Sequence, residues 1–576
     1  MGRSFSEGTR ECVAGAPIDR QRDASPSRPR DAPGQATLAI VGDFPSYKQH
    51  EPSDPFDAIV IGSGIGGLTA AAALAKAHHK RVLVLERHYT LGGFTHAFTR
   101  PGYEWDVGVH YIGQVGPRGV LRPAYDWLTD GALDWAPLPD VYDRVYLGDR
   151  TYDYVSGTKR FIARMKEYFP REHRAIDRYV DLVKRVVRSG IGYGVDRTLP
   201  RLASRLVGPL LRAPHLRWAN RTTRDVLSDL TSDEELRAVL TAQLGDYGLP
   251  PSRSSFAIHA SVAAHYLGGA FFPVGGASAI AKSFAPVITK AGGELFVSAD
   301  VREIVVEGGR AVGVRMANDR VIRAKTVISA AGAVNTYTRL LPPSHRDPAF
   351  EASLARVGPS LSWLCLYLGM KHTDEELGLE GTNLWIYPDG DYDGHFGRMM
   401  TQDGPGPWLD GTTPFPLVYV SFPSAKDPTW KQRHPGRSTV DVIVPARHEW
   451  FSSWEGSRWK KRGPDYEALK ARLVERLLEV VLAKVPGLRG RIDVAELSTP
   501  LSAAHFSGYA HGELYGLDHT PLRYRTPIGA LTPVRDLYLT GQDIVSCGVS
   551  GAMMGGLLTA TAVAGPRAML SALRPA

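Results

Sequence analysis

Asp57–Phe94, DAIVIGSGIGGLTAAAALAKAHHKRVLVLERHYTLGGF, reads as strand, glycine turn, helix, strand, acidic cap and second glycine turn. Ala58–Ile61 is a short β-branched run bounded by a turn signal, which predicts a buried parallel strand. Gly62, Gly64 and Gly67 form G-x-G-x-x-G, with Gly66 in the same turn, where the strand gives way to an Ala-rich helix over Leu68–Ala77. In such a turn the first glycine makes the bend, the second lets backbone approach a pyrophosphate, and the third lets helix and strand pack closely. The N-terminus of the helix adds free N–H groups and a partial positive charge for phosphates. The stretch therefore predicts a dinucleotide site.

The second half of the stretch narrows the nucleotide. Val82–Leu85 is the next strand, and Glu86 ends it where an acidic side chain accepts from a ribose diol. A carboxylate there repels a 2′-phosphate. Arg87 comes directly after it, and Leu91-Gly92-Gly93-Phe94 then supplies a second glycine turn at flavoprotein spacing. Simple NAD dehydrogenases have no need of that turn, so FAD is the expected cofactor.

At 576 residues and 62.8 kDa the chain is too long for one compact core. No apolar run of transmembrane length and no signal peptide is present, which predicts a cytoplasmic protein, soluble or peripheral on a membrane. Cys12, Cys365 and Cys547 lie far apart, which excludes a disulfide framework and a cysteine zinc site; no metal is expected. The net charge of +8 is local: Lys159–Arg224 carries seventeen Lys or Arg against five acids, and no nucleic-acid motif accompanies it.

In chain order, 1–54 is rich in Arg, Ser, Pro and Asp and reads as a disordered leader, too acidic for a transit peptide. Residues 55–120 form the first part of the FAD-binding domain. They end in Gly108-Val-His110-Tyr111-Ile-Gly113, where glycines let backbone approach a ligand and set His110 or Tyr111 beside it, or simply close a turn around a packed pair. Residues 121–267 read as a mainly helical cap. Within them Leu199–Trp218 mixes Leu, Val and Trp with Arg, which suits an anionic membrane or a solvated lid, and its prolines predict two short helices. Residues 268–341 return to the FAD domain: a helix ending near Lys290, a meander, and a strand pair over Arg320–Ser329 finishing in Ala330-Ala-Gly332. Residues 342–491 form the rest of the substrate domain, with Trp363, Tyr367, Trp385, Tyr387, Tyr419 and Phe422 as core or as walls of a long apolar cavity. Residues 492–576 complete the FAD domain with Leu537-Tyr-Leu-Thr540, Gly541-Gln-Asp543 and a Gly-rich helix opening at Gly548-Val549. Those glycines would turn backbone N–H groups toward a flavin ring's pyrimidine edge, with Asp543 on a ribityl hydroxyl.

The combination of Gly62-Ser-Gly-Ile-Gly-Gly67, Glu86-Arg-His-Tyr89, Leu91-Gly-Gly93, Trp105-Asp-Val-Gly-Val-His-Tyr-Ile-Gly113 and Leu537-Tyr-Leu-Thr-Gly-Gln-Asp543 resembles the retinol saturase group of the carotenoid isomerase and phytoene desaturase superfamily. The resemblance covers most of Phe56–Ala564. It implies an α/β fold in which a two-dinucleotide-binding-type, Rossmann-like FAD domain is interleaved with an α+β substrate domain. It also implies a hydrophobic polyene or lipid substrate and peripheral attachment to membranes.

For saturation, flavin N5 delivers hydride to one carbon of a conjugated double bond and a general acid protonates another. His110 and Tyr111 are the first candidates for that acid, ahead of His265, Tyr266, His505 and Tyr509. Redox-neutral isomerisation, desaturation, and a non-catalytic lipid carrier of the GDP-dissociation-inhibitor type are the alternatives. An amine oxidase is disfavoured because its usual Gly-Gly-Arg is Gly92-Gly93-Phe94 here. No second strand-linked G-x-G-x-x-G exists for NADPH, so the reductant comes from another protein or binds without a familiar motif.

Overall fold

The computed structural model describes residues 44–199 and 201–574, so the leader up to residue 43 lies outside the described residues. Residues 44–54 are tied to the fold. Ser46 bridges Val297, the Tyr47 amide donates to the Val297 carbonyl at 2.9 Å, and the Tyr47 ring meets Phe296 edge to face at 6.3 Å.

Strand β1 (Phe56–Ile61), helix α1 (Ile65–His78) and strand β2 (Val82–Leu85) form a parallel unit with Ile59 opposite Leu83. Almost every residue of α1 and all of β2 are buried, which is why this stretch is apolar without a polar face. On the far side of β1 lies Val321–Ser329, outside β2 lies Glu294–Phe296, and Leu537–Leu539 adds to Val321–Ser329; all are parallel. Val301–Glu307 and Arg310–Met316 extend the sheet antiparallel. Three separate stretches of sequence thus build one sheet, as the motifs at its two ends imply. Arg320–Ser329, expected as a strand pair, is a single strand over Val321–Ser329. Its Arg323 and Lys325 do not mark a turn; they alternate onto the exposed face with the period of two of a strand.

The second sheet carries seven strands in the order Ile492–Ser498, Ser362–Met370, Ser438–Ala446, Val418–Ser421, Asn383–Tyr387, Val141–Leu147 and Arg150–Val155. The last two add a hairpin that was not expected within Leu121–Tyr266, a segment that is otherwise mainly helical. Val, Tyr and Thr alternate there around a turn at Gly148, which sits at φ +57°, and that is β periodicity. The hairpin joins the sheet through Val141–Leu147, parallel to Asn383–Tyr387, and places Asp143 opposite Asn383. Helices fill the rest of that segment, among them α2 (His173–Asp196) and α3 (Arg201–Ala219).

Helix α3 is a second correction. It runs unbroken through Pro209 and Pro214 where two short helices were expected. Each proline forfeits a backbone hydrogen bond, but a helix survives that loss when its flanks are held. Here His215 lies between Tyr193 of α2 and Tyr524, with ring centroids at 5.0 and 5.9 Å. Among the described residues no helix is long and apolar enough to cross a membrane.

Candidate active site

One cavity of about 1200 Å³ runs from the glycine turns of the first sheet to the aromatic face of the second. At the first end Gly62 stands at φ +96°, in the left-handed region that side chains avoid. A Cβ on Gly67 would collide with the Gly62 carbonyl oxygen, so only glycine permits α1 to lie that close to β1. A Cβ on Gly64 would meet nothing within 4 Å, which leaves backbone open to the cavity where a pyrophosphate needs it. The second turn closes on the first: Gly92 bridges Gly64, and the Gly92 amide donates to Ser63 Oγ at 3.0 Å.

Glu86 is buried beneath this cradle. Its Oε2 accepts from the Ser63 amide at 2.8 Å and the Ser63 hydroxyl at 2.7 Å, and its Oε1 accepts from the His88 amide at 2.7 Å. A carboxylate has about four acceptor positions, so one remains on Oε1 for a ribose hydroxyl. The Arg87 guanidinium donates to the carbonyls of His505 and Phe506 at 2.9 and 3.0 Å, which ties a distant helix end to the cavity wall. Phe94 lines the cavity parallel to Tyr509 at 6.4 Å.

The C-terminal motif meets the same cavity. Helix α4 (Gly548–Ala564) begins there, with Gly548 and Val549 in the wall. It lies against α1 because a Cβ on Gly66 would strike Gly541, while one on Gly555 would strike the Gly541 carbonyl and one on Gly556 would meet Thr69. Two helix N-termini therefore face one space, an arrangement suited to an anionic, electron-accepting ligand. Asp543 lines that space, yet both its oxygens already accept backbone N–H groups, Oδ2 from Ala333 at 2.7 Å and Oδ1 from Leu517 at 3.0 Å. It fixes the turn first and has only spare lone pairs for a ligand. Open backbone at Gly64, the free position on Glu86 and the paired helix N-termini all fit FAD.

At the other end the wall is formed by His110, Gly245, Asp246, Trp363, Trp385 and Tyr419, with Leu417 and Ile443 between them. His110 is in the wall as expected, but it is no reservoir of protons. Burial pushes its imidazole down to about 3, and Lys426 nearby acts in the same direction. Its Nδ1 lies 3.6 Å from Asp441 Oδ2, beyond hydrogen-bond length, and burial holds that carboxyl well above its ordinary range. Burial thus disfavours the charged form of both partners. Tyr111 stacks on Tyr266 at 4.1 Å, and its hydroxyl donates to Asp246 Oδ2 at 2.9 Å and reaches Asp143 Oδ2 at 3.2 Å. Burial raises the Tyr111 hydroxyl well above 10, with Asp143 and Asp246 adding to the shift. Of the other candidates, His265 Nε2 accepts from the Gly113 amide at 2.8 Å and burial holds it at about 4, so it ties the helix Phe256–Tyr266 to the strand Ile112–Gly113. His505 stacks at 6.0 Å on Trp459, which lines the cavity.

The sequence pointed to none of Asp246, Asp143, Asn383, Lys426 and Asp441. Lys426 is buried, and its Nζ donates to the His110 carbonyl at 2.8 Å, to Ser421 Oγ at 2.7 Å and to Asn383 Oδ1. Three acceptors match the three protons of an ammonium, although burial lowers Lys426 to about 7. Asn383 in turn donates to Asp143 Oδ1 at 2.8 Å, and Gln243 donates to Asp143 Oδ2 at 2.8 Å. A usable signal did exist: Leu244-Gly-Asp-Tyr-Gly248 brackets an acid–aromatic pair with glycines, as Gly108–Gly113 brackets His110 and Tyr111.

The sequence pattern of the family described as flavin containing amine oxidoreductase matches residues 65–564. An all-trans-retinol 13,14-reductase of Danio rerio is 39% identical, over 88% of this chain and 85% of its own. A chloroplastic prolycopene isomerase of an Oncidium hybrid cultivar is 27% identical, over 96% and 92%. Among solved structures, a putrescine oxidase redesigned in its cofactor binding covers 88% of this chain and 99% of its own at a TM-score of 0.56, with 18% identity, which speaks to the fold. The cradle, the cavity and these likenesses agree: the chain belongs to the flavin-containing amine oxidoreductase family, within the branch that holds the all-trans-retinol 13,14-reductases, and is an FAD-dependent oxidoreductase.

Proposed function

We propose that this protein saturates one conjugated carbon–carbon double bond of a retinoid-like polyene. The observation that carries the reading is the continuity of the cavity, which joins a flavin cradle to a wall of Trp363, Trp385, Tyr419, Leu417 and Ile443 without an intervening layer. An elongated apolar molecule suits such a wall, since aromatic and branched side chains bury its surface while a few polar groups fix its orientation. The relatives described as retinol reductases share this chemistry in name.

FAD bound in the cradle supplies hydride chemistry at its ring; the protein does the rest. Gly62, Gly64 and Gly66 would hold the pyrophosphate, with Gly67 letting α1 pack on β1 behind them, Glu86 would hold the ribose, and Gly92, Gly93 and Phe94 would form the second turn. Arg87 anchors the wall, and Gly541, Asp543, Gly548 and Val549 present backbone toward the ring. Trp363 and Trp385 exclude water and align the chain of double bonds. Redox-neutral isomerisation is the second reading, favoured by a buried acid that can return the proton it gives. Electrons reach the flavin from an external donor.

The substrate reaches the cavity from a membrane surface. Helix α3 leaves Leu202, Leu206 and Leu210 at least 71% exposed, four residues apart on one stripe, with Ile191 of α2 beside them in character at 71%. Such a stripe among arginines suits the boundary between headgroups and acyl chains. Replacing Leu202, Leu206 and Leu210 together by Gln should release the protein from anionic liposomes in a sedimentation assay; unchanged sedimentation removes the membrane contact.

The function is tested by the visible spectrum of the purified protein, then by anaerobic reduction and incubation with retinoids, carotenoids and unsaturated fatty acids. A reducible FAD and a product two hydrogens heavier are expected. A colourless protein that stays empty when given FAD would restore the lipid-carrier alternative.

A further inference from the structure

We propose that Asp246 is the proton donor of the reaction and that Tyr111 and Asp143 are the positioning residues that keep its proton in place. The proposal rests on the reading that this cavity reduces a double bond. It departs from the expectation that His110 or Tyr111 serves as the acid.

Asp246 lines the cavity between Gly245 and the aromatic wall. Its Oδ2 is occupied by the Tyr111 hydroxyl at 2.9 Å, and its Oδ1 takes no hydrogen bond from a described residue. The same hydroxyl lies 3.2 Å from Asp143 Oδ2, so one phenol spans two carboxyl groups. They are not equivalent. Asp143 is fully buried and accepts from Asn383 and Gln243 as well, and Asn383 is itself held by Lys426. Asn383 and Gln243 donate to Asp143 alone and stabilise it as the charged member, while the single Tyr111 proton lies closer to Asp246. Asp246 has one donor, lies against the apolar wall and faces the negative charge of Asp143. Two like charges bridged by one hydroxyl do not both ionise readily, and the member with fewer hydrogen-bond donors keeps its proton.

Electrostatics agree with the geometry. Burial, and then Asp143, hold the Asp246 carboxyl well above its ordinary 3.8, whereas Asp143 is raised only to about 6. The titratable groups facing Asp246 are Asp143, Tyr111, Tyr142, Tyr247, Tyr266, Tyr387, Tyr419, Tyr515 and Cys547, whose Sγ lies 3.5 Å from the Asp246 carbonyl. Burial raises the phenols among them well above 10 and Cys547 to about 12, which leaves the two carboxyl groups as the acidic members of this set.

In the step itself, one carbon of the double bond receives a hydride from flavin reduced by the external donor. The π pair moves to the other carbon, which takes the proton from Asp246. One π bond, the hydride-bearing N–H bond of the reduced flavin and the Asp246 O–H bond would break, and two C–H bonds would form. The alkene is reduced by two electrons and the flavin oxidised by two. The carboxylate left behind accepts the Tyr111 hydroxyl and is reprotonated from solvent.

The test uses full-length FAD-loaded protein, dithionite as electron donor and the polyene that the wild type reduces. Asp246→Asn keeps the shape and the Tyr111 contact but has no acidic proton, and should slow reduction by about 10²- to 10⁴-fold. Its FAD content and its flavin reoxidation by dioxygen should match the wild type. The wild-type rate should fall as pH rises and the acid ionises. Asp143→Asn removes the like charge, lowers the acid's pKa and should move that limb to lower pH, a shift that loss of packing alone would not produce. An Asp246→Asn enzyme with wild-type rate and pH profile overturns the assignment while leaving the function intact, as does an unmoved limb in Asp143→Asn. Wild-type protein that holds FAD and reduces none of the polyenes overturns the function and the assignment together.

Discussion

The nucleotide end of the cavity is walled by backbone. Gly62, Gly64 and Gly66, then Gly92 and Gly93, then Gly541 and Gly548 come from three short motifs, and what each contributes is the space that a missing side chain leaves. The aromatic end is walled by side chains: Asp246 comes from a turn, and Trp363, Trp385, Tyr419 and Ile443 come from four different strands. At the first end function depends on what is absent at each position, which local sequence displays. At the second it depends on which side chains meet, which the strand register sets. The first end suits a cofactor of fixed shape, and the second can be re-lined to change the substrate without disturbing the first.

Four substitutions probe that division. The largest effect is expected for Gly67→Val, which drives a side chain into the Gly62 carbonyl and separates α1 from β1. It should abolish FAD binding and soluble expression, and an intact flavin spectrum would show that the cradle is looser than its geometry. Next, Glu86→Ala strips the partner from three donors and from the ribose. It should weaken FAD retention roughly 10- to 100-fold, the worth of a hydrogen bond to a charged group, as read by equilibrium dialysis; normal occupancy would move the ribose elsewhere.

Gly245→Ala acts on the other end alone. Its Cβ would lie 2.6 Å from Trp385 Cζ3 and push the indole into the cavity. Overpacking of about 1–3 kcal/mol should appear as weaker polyene binding with FAD content unchanged. If FAD is lost as well, the two ends are coupled and the division fails.

His110→Gln should have the smallest effect on rate, a few-fold loss with the pH limb unmoved. A shifted limb would make His110 the acid. The same variant has a stability signature. The folded-state value of about 3 lies below the ordinary 6.5, so on unfolding the imidazole takes up a proton, and its contribution is lost as pH falls from 6.5 toward 3. The variant should lose stability less steeply over that window, by up to ~1.4 kcal/mol per pH unit, in urea melts at pH 7 and 5.

The separate parts of the molecule were legible to different degrees for the same reason. The β1–α1–β2 unit is local: its apolar runs, glycines and terminal Glu86 lie within one crossover, and each implies the next. The Val141–Val155 hairpin was hidden inside a segment of helices and prolines because its partner strand, Asn383–Tyr387, lies far along the chain. Helix α3 kept its two prolines because α2 and Tyr524 hold it from outside, and no window of α3 contains that information. His110 was correctly placed at the cavity, but its charge state was out of reach, since burial depends on the strands that cover it.

By itself, then, the sequence determined the nucleotide fold and the cofactor class, because glycine spacing and strand periodicity are short-range consequences of backbone sterics. Only the tertiary structure decided which acid faces the substrate. Asp143, Asp246, Asn383 and Lys426 are ordinary polar residues in sequence. They become a proton-holding network because sheet register brings them within hydrogen-bond distance in a space that water does not screen.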